Sequence, residues 1–395
     1  MVNSNQICLV KGIFKITFLF FLFLVNPLLS NAQTNIIFGA AQWESYKKIL
    51  KQENVGVVAH QASLFEPKTH LIDTLLSLKV NIKKVFAPEH GFRGDADAGE
   101  SVDDQKDIKT GLPILSLYGI NKKPSQESLE DISVMLFDLQ DVGVRFYTYL
   151  STLHYVMEAC AENEIPLIIL DRPNPNAHYI DGPVLEEDCK SFVGMHPVPI
   201  VYGMTIGEYA KMINGEGWLK NGIKCDLRVV PLKNYTHQTE YEIPLRPSPN
   251  LPNAHSIALY PSLCLLEPTV ISVGRGTEMQ FQIYGHPKLP KTNFSFTPLP
   301  NFGSKNPKFK GQLCNGVDLR NIERQKKIEL QWLIQAYRDF PDKENFFKKG
   351  FFRIAGNKKL QKQLAQEMSE QQIRKTWEKD LEKFKNIRKK YLIYP

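Results

Sequence analysis

The chain has 395 residues and a formal net charge of +7, from 49 basic and 42 acidic side chains. That length suits two domains at the usual ~100 to 200 residues each. The charge excess is local, with 15 basic and 7 acidic side chains in the last 55 residues, so it gives no ground for expecting a nucleic-acid partner.

Residues 1–32 hold Lys11 and Lys15 but no acid, then an apolar run over 16–25, then Ser30-Asn31-Ala32 with small residues where a signal peptidase reads. This is the pattern of a cleaved secretory signal peptide. The run is too short for a bilayer core, which needs about 20 apolar residues, so no stable membrane insertion is expected after cleavage. Cys8 precedes the run, which does not support lipid attachment. The expected product is exported, periplasmic or secreted. Cys160, Cys189, Cys225, Cys264 and Cys314 remain, an odd and scattered set without a C-x-x-C pair. They read as buried small hydrophobes, with room for one bridge at most.

A β-branched run over 54–60, helical periodicity over 71–78 and a second strand-like run over 83–87 form a βαβ unit, which implies parallel pairing. Some forty residues rich in Asp, Gly, Lys and Pro precede the next strand at 132–139, a length usual for a functional loop or lid. A helix over 150–162, a buried strand over 166–170 and a helix over 204–214 follow, the last opened by Thr205 with Glu208 three residues on, as in a capping box. Four prolines in 243–252 make a stiff extended link, dividing the chain into domains 33–245 and 246–395. Near the end, Ile373, Trp377, Leu381, Phe384 and Ile387 repeat at helical spacing, giving a docked amphipathic helix with a basic solvated face.

Several of the strands end in polar clusters, the pattern of an open α/β sheet whose ligand crevice lies outside the carboxyl ends of its strands. KVFAPEHGFRGD delivers Glu89, His90 and Arg93 just after a strand, with Pro88 restricting the backbone before the carboxylate. The next strand ends in Asp138 and Asp141, followed by Arg145, Tyr147 and Tyr149. An Arg among tyrosines suits a sugar that carries a carboxylate, because a guanidinium binds the acid bidentately while rings pack on the pyranose. LDRPNP sets Asp171, Arg172 and Asn174 around two prolines, and LEPTVISVGRGT offers Glu267, Thr269 and Arg275. Each of these has a structural alternative: an ion pair, a turn cap or a half-buried strand. No G-x-G-x-x-G follows the first strand, and no P-loop, H-E-x-x-H or G-x-S-x-G occurs. Asp95, Asp97 and Glu100 read as an exposed acidic loop, so neither a metal nor another cofactor is expected.

Taken together, PEHGFRG, DLQDVGVRFYTY, LDRPNP, SFVG with YGMTIGE, PSPNLP, and LYPSLCLLEPT with GRGT resemble the exo-β-N-acetylmuramidase (NamZ-like) family of peptidoglycan glycosidases. The resemblance implies an α/β fold with a Rossmann-like N-terminal domain, a smaller C-terminal α/β domain and an active site in the cleft between them. It implies release of non-reducing-end N-acetylmuramic acid from peptidoglycan-derived saccharides. The family's catalytic glutamate falls on Glu89, with His90, Arg93, Arg145, Arg172, Asn250, Glu267 and Arg275 on other motif positions. Where the family reads EGT this chain has Glu267-Pro268-Thr269, and Val273 stands where an acid often precedes the GRG glycine. Glu89 is the expected general acid. The second role stays open among Asp138, Asp141, Glu267 and the substrate's own 2-acetamido oxygen. Arg93, Arg145, Arg172 and Arg275 are candidates for the lactyl carboxylate, with Tyr147, Asn174 and Thr269 as further contacts. A non-catalytic binder of muramyl sugars is the alternative function.

Overall fold

The structure, a computed structural model, describes residues 35–66, 68–92 and 104–395. The leader, Arg93 and the acidic stretch at Asp95, Asp97 and Glu100 lie outside the described residues. Ile36–Pro395 forms one compact unit.

Its strands are β1 (Val55–Ala59), β2 (Leu64–Glu66), β3 (Thr69–His70), β4 (Ile82–Ala87), β5 (Gln105–Lys106), β6 (Pro113–Ser116), β7 (Val134–Asp138), β8 (Leu167–Leu170), β9 (Leu227–Val230), β10 (Ile283–His286), β11 (Ser295–Phe296) and β12 (Cys314–Asp318). The main sheet runs β5-β6-β4-β1-β7-β8-β9, parallel except for β5 at its edge. The six parallel strands therefore lie in the order third, second, first, fourth, fifth, sixth, the doubly wound arrangement whose crevice opens where the order reverses. A three-stranded antiparallel sheet, β10-β12-β11, belongs to the C-terminal half.

The central strands VGVVA, VMLFD and LIIL are buried throughout, as required of parallel strands covered on both faces. Alternate side chains enter different cores. Val58, Phe86, Met135, Phe137 and Ile169 meet helix Tyr149–Glu162 and helix Ile206–Gly215. Val57, Val85, Leu136 and Ile168 meet helix Trp43–Leu50 and helix Leu71–Ser77. The first of these cores continues into the C-terminal half through Leu259, Leu266, Leu333 and Phe384.

The expected elements are present with small shifts at their ends, and the capping box at Thr205 and Glu208 is formed in both directions. Two expectations change. The long connection after β4 contains β5, β6 and helix Gln126–Leu129, so β6 widens the sheet. The C-terminal amphipathic repeat is docked but broken at Thr376 and Trp377 into helices Glu370–Lys375 and Glu378–Arg388. Ile373, Trp377, Leu381 and Phe384 are all buried across that break. The five cysteines among the described residues are all free and buried. No helix among the described residues is long and apolar enough to cross a membrane.

Candidate active site

Directly after β4 the chain turns sharply. His90 and Gly91 both take left-handed backbone angles, φ 73° and 76°, and the Gly91 amide donates to the Pro88 carbonyl at 3.0 Å. A histidine in that region is strained, which is tolerated where the surroundings fix the turn. The turn leaves Glu89 half-buried at the strand end, on the wall of a cavity of about 410 Å³. The Thr148 hydroxyl donates to the Glu89 carboxylate at 2.8 Å. The Tyr118 hydroxyl also bonds to Glu89, and burial first, then that carboxylate, pushes the phenol's pKa up.

From the C-terminal half the same cavity is lined by Asn250, Tyr260, Glu267, Arg275 and Phe281. Arg275 donates to one Glu267 oxygen from Nε at 3.0 Å and Nη2 at 2.8 Å, and its guanidinium lies over the Phe281 ring at 5.2 Å. Gly274 and Gly276 flank this arginine at φ 82° and 80°, and a Cβ on Gly276 would come within 2.6 Å of Pro307. Burial works against charge on Glu267, but Arg275 and then Lys308 hold its carboxyl below the usual range. Lys308 Nζ donates to the carbonyls of Glu267 (2.8 Å), Thr269 (3.0 Å) and Ile271 (2.8 Å), pinning the turn that carries Glu267. Burial lowers that ammonium to about 8. Asn250 is 1% exposed. Its Nδ2 donates to the Gly303 carbonyl at 2.6 Å, while its Oδ1 has no partner among the described residues. The Tyr147 hydroxyl donates to the Pro247 carbonyl at 2.8 Å, tying the ring to the proline-rich link.

The other strand ends form a buried polar layer. After β1, His60 Nε2 accepts from the Gln140 amide at 3.0 Å, so Nδ1 is the protonated nitrogen and faces the Tyr149 hydroxyl at 3.1 Å. Burial, then Arg172, lowers its pKa and keeps the ring neutral. Asp138 and Arg172, 0% and 2% exposed, pair bidentately at 2.5 and 2.8 Å. Arg172 also donates to the Leu64 carbonyl. Asp141 accepts from the Gly143 amide at 2.6 Å and from the Tyr202 hydroxyl, and burial lifts its carboxyl to about 6. Arg145 spends its terminal nitrogens on the carbonyls of Pro183, Val198 and Ile354 at 2.8 to 2.9 Å. Asn174 donates to the Met204 carbonyl, and Thr269 to the Leu266 carbonyl.

The sequence candidates thus divide. Glu89, His90, Tyr147, Asn250, Glu267 and Arg275 line one cavity. Asp138, Asp141, Arg145, Arg172, Asn174 and Thr269 do not line it and are held by buried partners, and Arg93 lies outside the described residues. Sequence reasoning missed Tyr118, Lys122, Thr148, Phe192 and Lys308. Tyr118 and Lys122 follow β6, a four-residue strand opened by Pro113 that offers little pattern to read. Thr148 stands inside the RFYTY motif, but its bond to Glu89 spans 59 residues and leaves no local signal.

The family described as exo-beta-N-acetylmuramidase NamZ matches in two parts, its N-terminal part over residues 55–255 and its C-terminal part over 258–394. The chain is 39% identical over 371 residues to "Peptidoglycan beta-N-acetylmuramidase NamZ" of Bacillus subtilis (strain 168), covering 88% of this chain and 89% of that protein. Crystal structures of two DUF1343 family proteins from Bacteroides fragilis NCTC 9343 are similar, one at 44% identity with TM-score 0.86 and one at 30% with TM-score 0.79. Each match covers 91% of this chain and 99% of the other.

Proposed function

The chain belongs to the exo-beta-N-acetylmuramidase NamZ family, and from that premise we propose that it is an exo-acting glycosidase. It releases non-reducing-end N-acetylmuramic acid from peptidoglycan fragments, in cell-wall turnover. The observation that carries this reading is Glu89, a half-buried carboxyl at the carboxyl end of a parallel strand, sharing its cavity with a second carboxylate, Glu267.

In the proposed mechanism Glu89 is the general acid. Its proton passes to the glycosidic oxygen as the bond from that oxygen to the anomeric carbon breaks; the oxygen of water becomes bonded to that carbon, and the proton that water loses restores the Glu89 acid over the cycle. Thr148 and Tyr118 support the role by fixing the direction of the Glu89 carboxyl. Glu267, kept ionised by Arg275 and Lys308, is the proposed second group, facing the positive charge that develops on the sugar ring. Asp138 and Asp141 support buried structure instead. Tyr147, Tyr260 and Phe281 offer ring surface to the pyranose. The cavity takes residues from both sides of the proline-rich link, which supports a Rossmann-like domain over 33–245, a smaller domain over 246–395 and a site between them. The leader pattern supports export to the periplasm or the exterior.

The test is product release from two disaccharides, one with N-acetylmuramic acid and one with N-acetylglucosamine at the non-reducing end. Free N-acetylmuramic acid from the first and nothing from the second is the expected result. Binding of the first without any release would replace the enzyme with a binding protein for muramyl sugars.

A further inference from the structure

We propose that Lys122 recognises the lactyl carboxylate of N-acetylmuramic acid and so sets the sugar specificity of the site; this assignment rests on the muramidase reading for its ligand. N-acetylmuramic acid differs from N-acetylglucosamine by that one ether-linked acid, so a site that separates them needs a cation placed to meet it. Among the described residues, the candidate arginines are committed. Arg172 is paired with Asp138, Arg145 is turned onto three carbonyls, and Arg275 is bound to Glu267 through two nitrogens. Lys308 is consumed by three carbonyls.

Lys122 lines the same cavity as Glu89, and it has neither a carboxylate nor a carbonyl partner among the described residues. Its ammonium lies over the Phe192 ring, 5.1 Å from the centroid. That contact leaves the ammonium's hydrogen-bonding capacity unfilled by any anion among the described residues. The backbone around it explains the direction it takes. The neighbouring Lys123 is anchored away from the cavity on Glu158 at 2.8 Å and Glu162 at 2.6 Å, which fixes the loop so that Lys122 turns inward. Phe192 is equally fixed, its carbonyl accepting from the Ser151 hydroxyl at 2.7 Å and its loop closed by paired bonds between Ser191 and Gly194. Tyr118, which bonds to Glu89, packs against the same ring at 5.9 Å. The cation, the ring and the proposed acid therefore form one connected wall. A carboxylate on the bound sugar would give the half-buried lysine its missing partner, and a sugar lacking that acid would leave the charge unpaired.

The experiment compares calorimetric binding of N-acetylmuramic acid and its neutral lactamide analogue to the wild-type protein, Lys122→Met and Lys122→Arg at low salt. The wild type should prefer the acid by ~10- to 100-fold, the range of one charge-assisted hydrogen bond. Lys122→Met should bring the two affinities together, and Lys122→Arg should keep most of the preference. A preference that survives in Lys122→Met, or a wild type that binds acid and amide alike, overturns the assignment. Because the readout is binding, it stands apart from turnover. A wild type that prefers the acid through Lys122 but hydrolyses no β-muramide would sink the glycosidase reading and leave the lysine's role in place.

Discussion

At the scale of single residues, the cavity and the layer beneath it use the same residue types for different ends. Glu89 and Asp138 both stand at the ends of parallel strands, yet only Glu89 reaches the cavity, because the left-handed turn at His90 and Gly91 lifts it out. Asp138 continues straight into the bidentate grip of Arg172. Nothing in LFDLQD or LDRPNP separates an ion pair from a catalytic acid, since the partner is 34 residues away in sequence. This is why the polar strand ends were legible but their roles were not. Arg172→Leu leaves the Asp138 carboxylate buried without a countercharge, and should cost about 3 to 5 kcal/mol in denaturant unfolding, with Asp138→Leu/Arg172→Leu recovering part of the loss. Equal stability of the single and double variants would contradict that. For Thr148→Val the expected effect is on chemistry: kcat lower by roughly tenfold with KM little changed, because the acid loses a hydroxyl that orients it. A change in KM alone would remove Thr148 from the acid's support.

At the scale of elements, periodic runs were the most readable part of the chain. The buried strands β1, β4, β7 and β8 and the helices after them follow the hydrophobic pattern within a residue or two. β6 was hidden because Pro113 opens it and only four residues pair, too few for alternation to show against a polar loop. The break at Trp377 was hidden because the apolar spacing runs on across it. The best-defined helix start, at Thr205, gains more than its capping box. Asp171, just after β8, accepts from the Thr205 hydroxyl, the Gly207 amide and the Tyr394 hydroxyl, while Glu208 accepts from the amides of Ile393 and Tyr394. The C-terminal segment is thereby fastened to the helix that packs on the sheet. Tyr394→Phe should destabilise the fold by about 1 to 3 kcal/mol, as a buried carboxylate loses a donor and the Leu232 amide loses its acceptor. Thermal unfolding at the wild-type midpoint would show instead that water replaces both bonds.

At the scale of the whole molecule, buried carboxyls tie stability to pH. Burial raises Asp141 and Asp171 to about 6, from about 4 in an unfolded chain. Each therefore favours the folded state fully below about pH 4, and that contribution is lost as pH rises through 6. That pKa difference corresponds to roughly 3 kcal/mol per group. Asp141→Asn should flatten the fall in stability between pH 4 and 6.5 relative to wild type, measured by denaturant unfolding across that window, whereas an unchanged slope would place the titration elsewhere. The arrangement that matters most at this scale is the meeting of Glu89 from the parallel sheet with Glu267 and Arg275 from beyond the proline-rich link. The most direct test is kcat on a chromogenic β-N-acetylmuraminide for wild type and Glu89→Gln, with folding of both confirmed by unfolding curves. Steady release by wild type and a loss of at least ~100-fold in the variant are the expected results. A folded Glu89→Gln protein that turns over at the wild-type rate would contradict the acid role of Glu89.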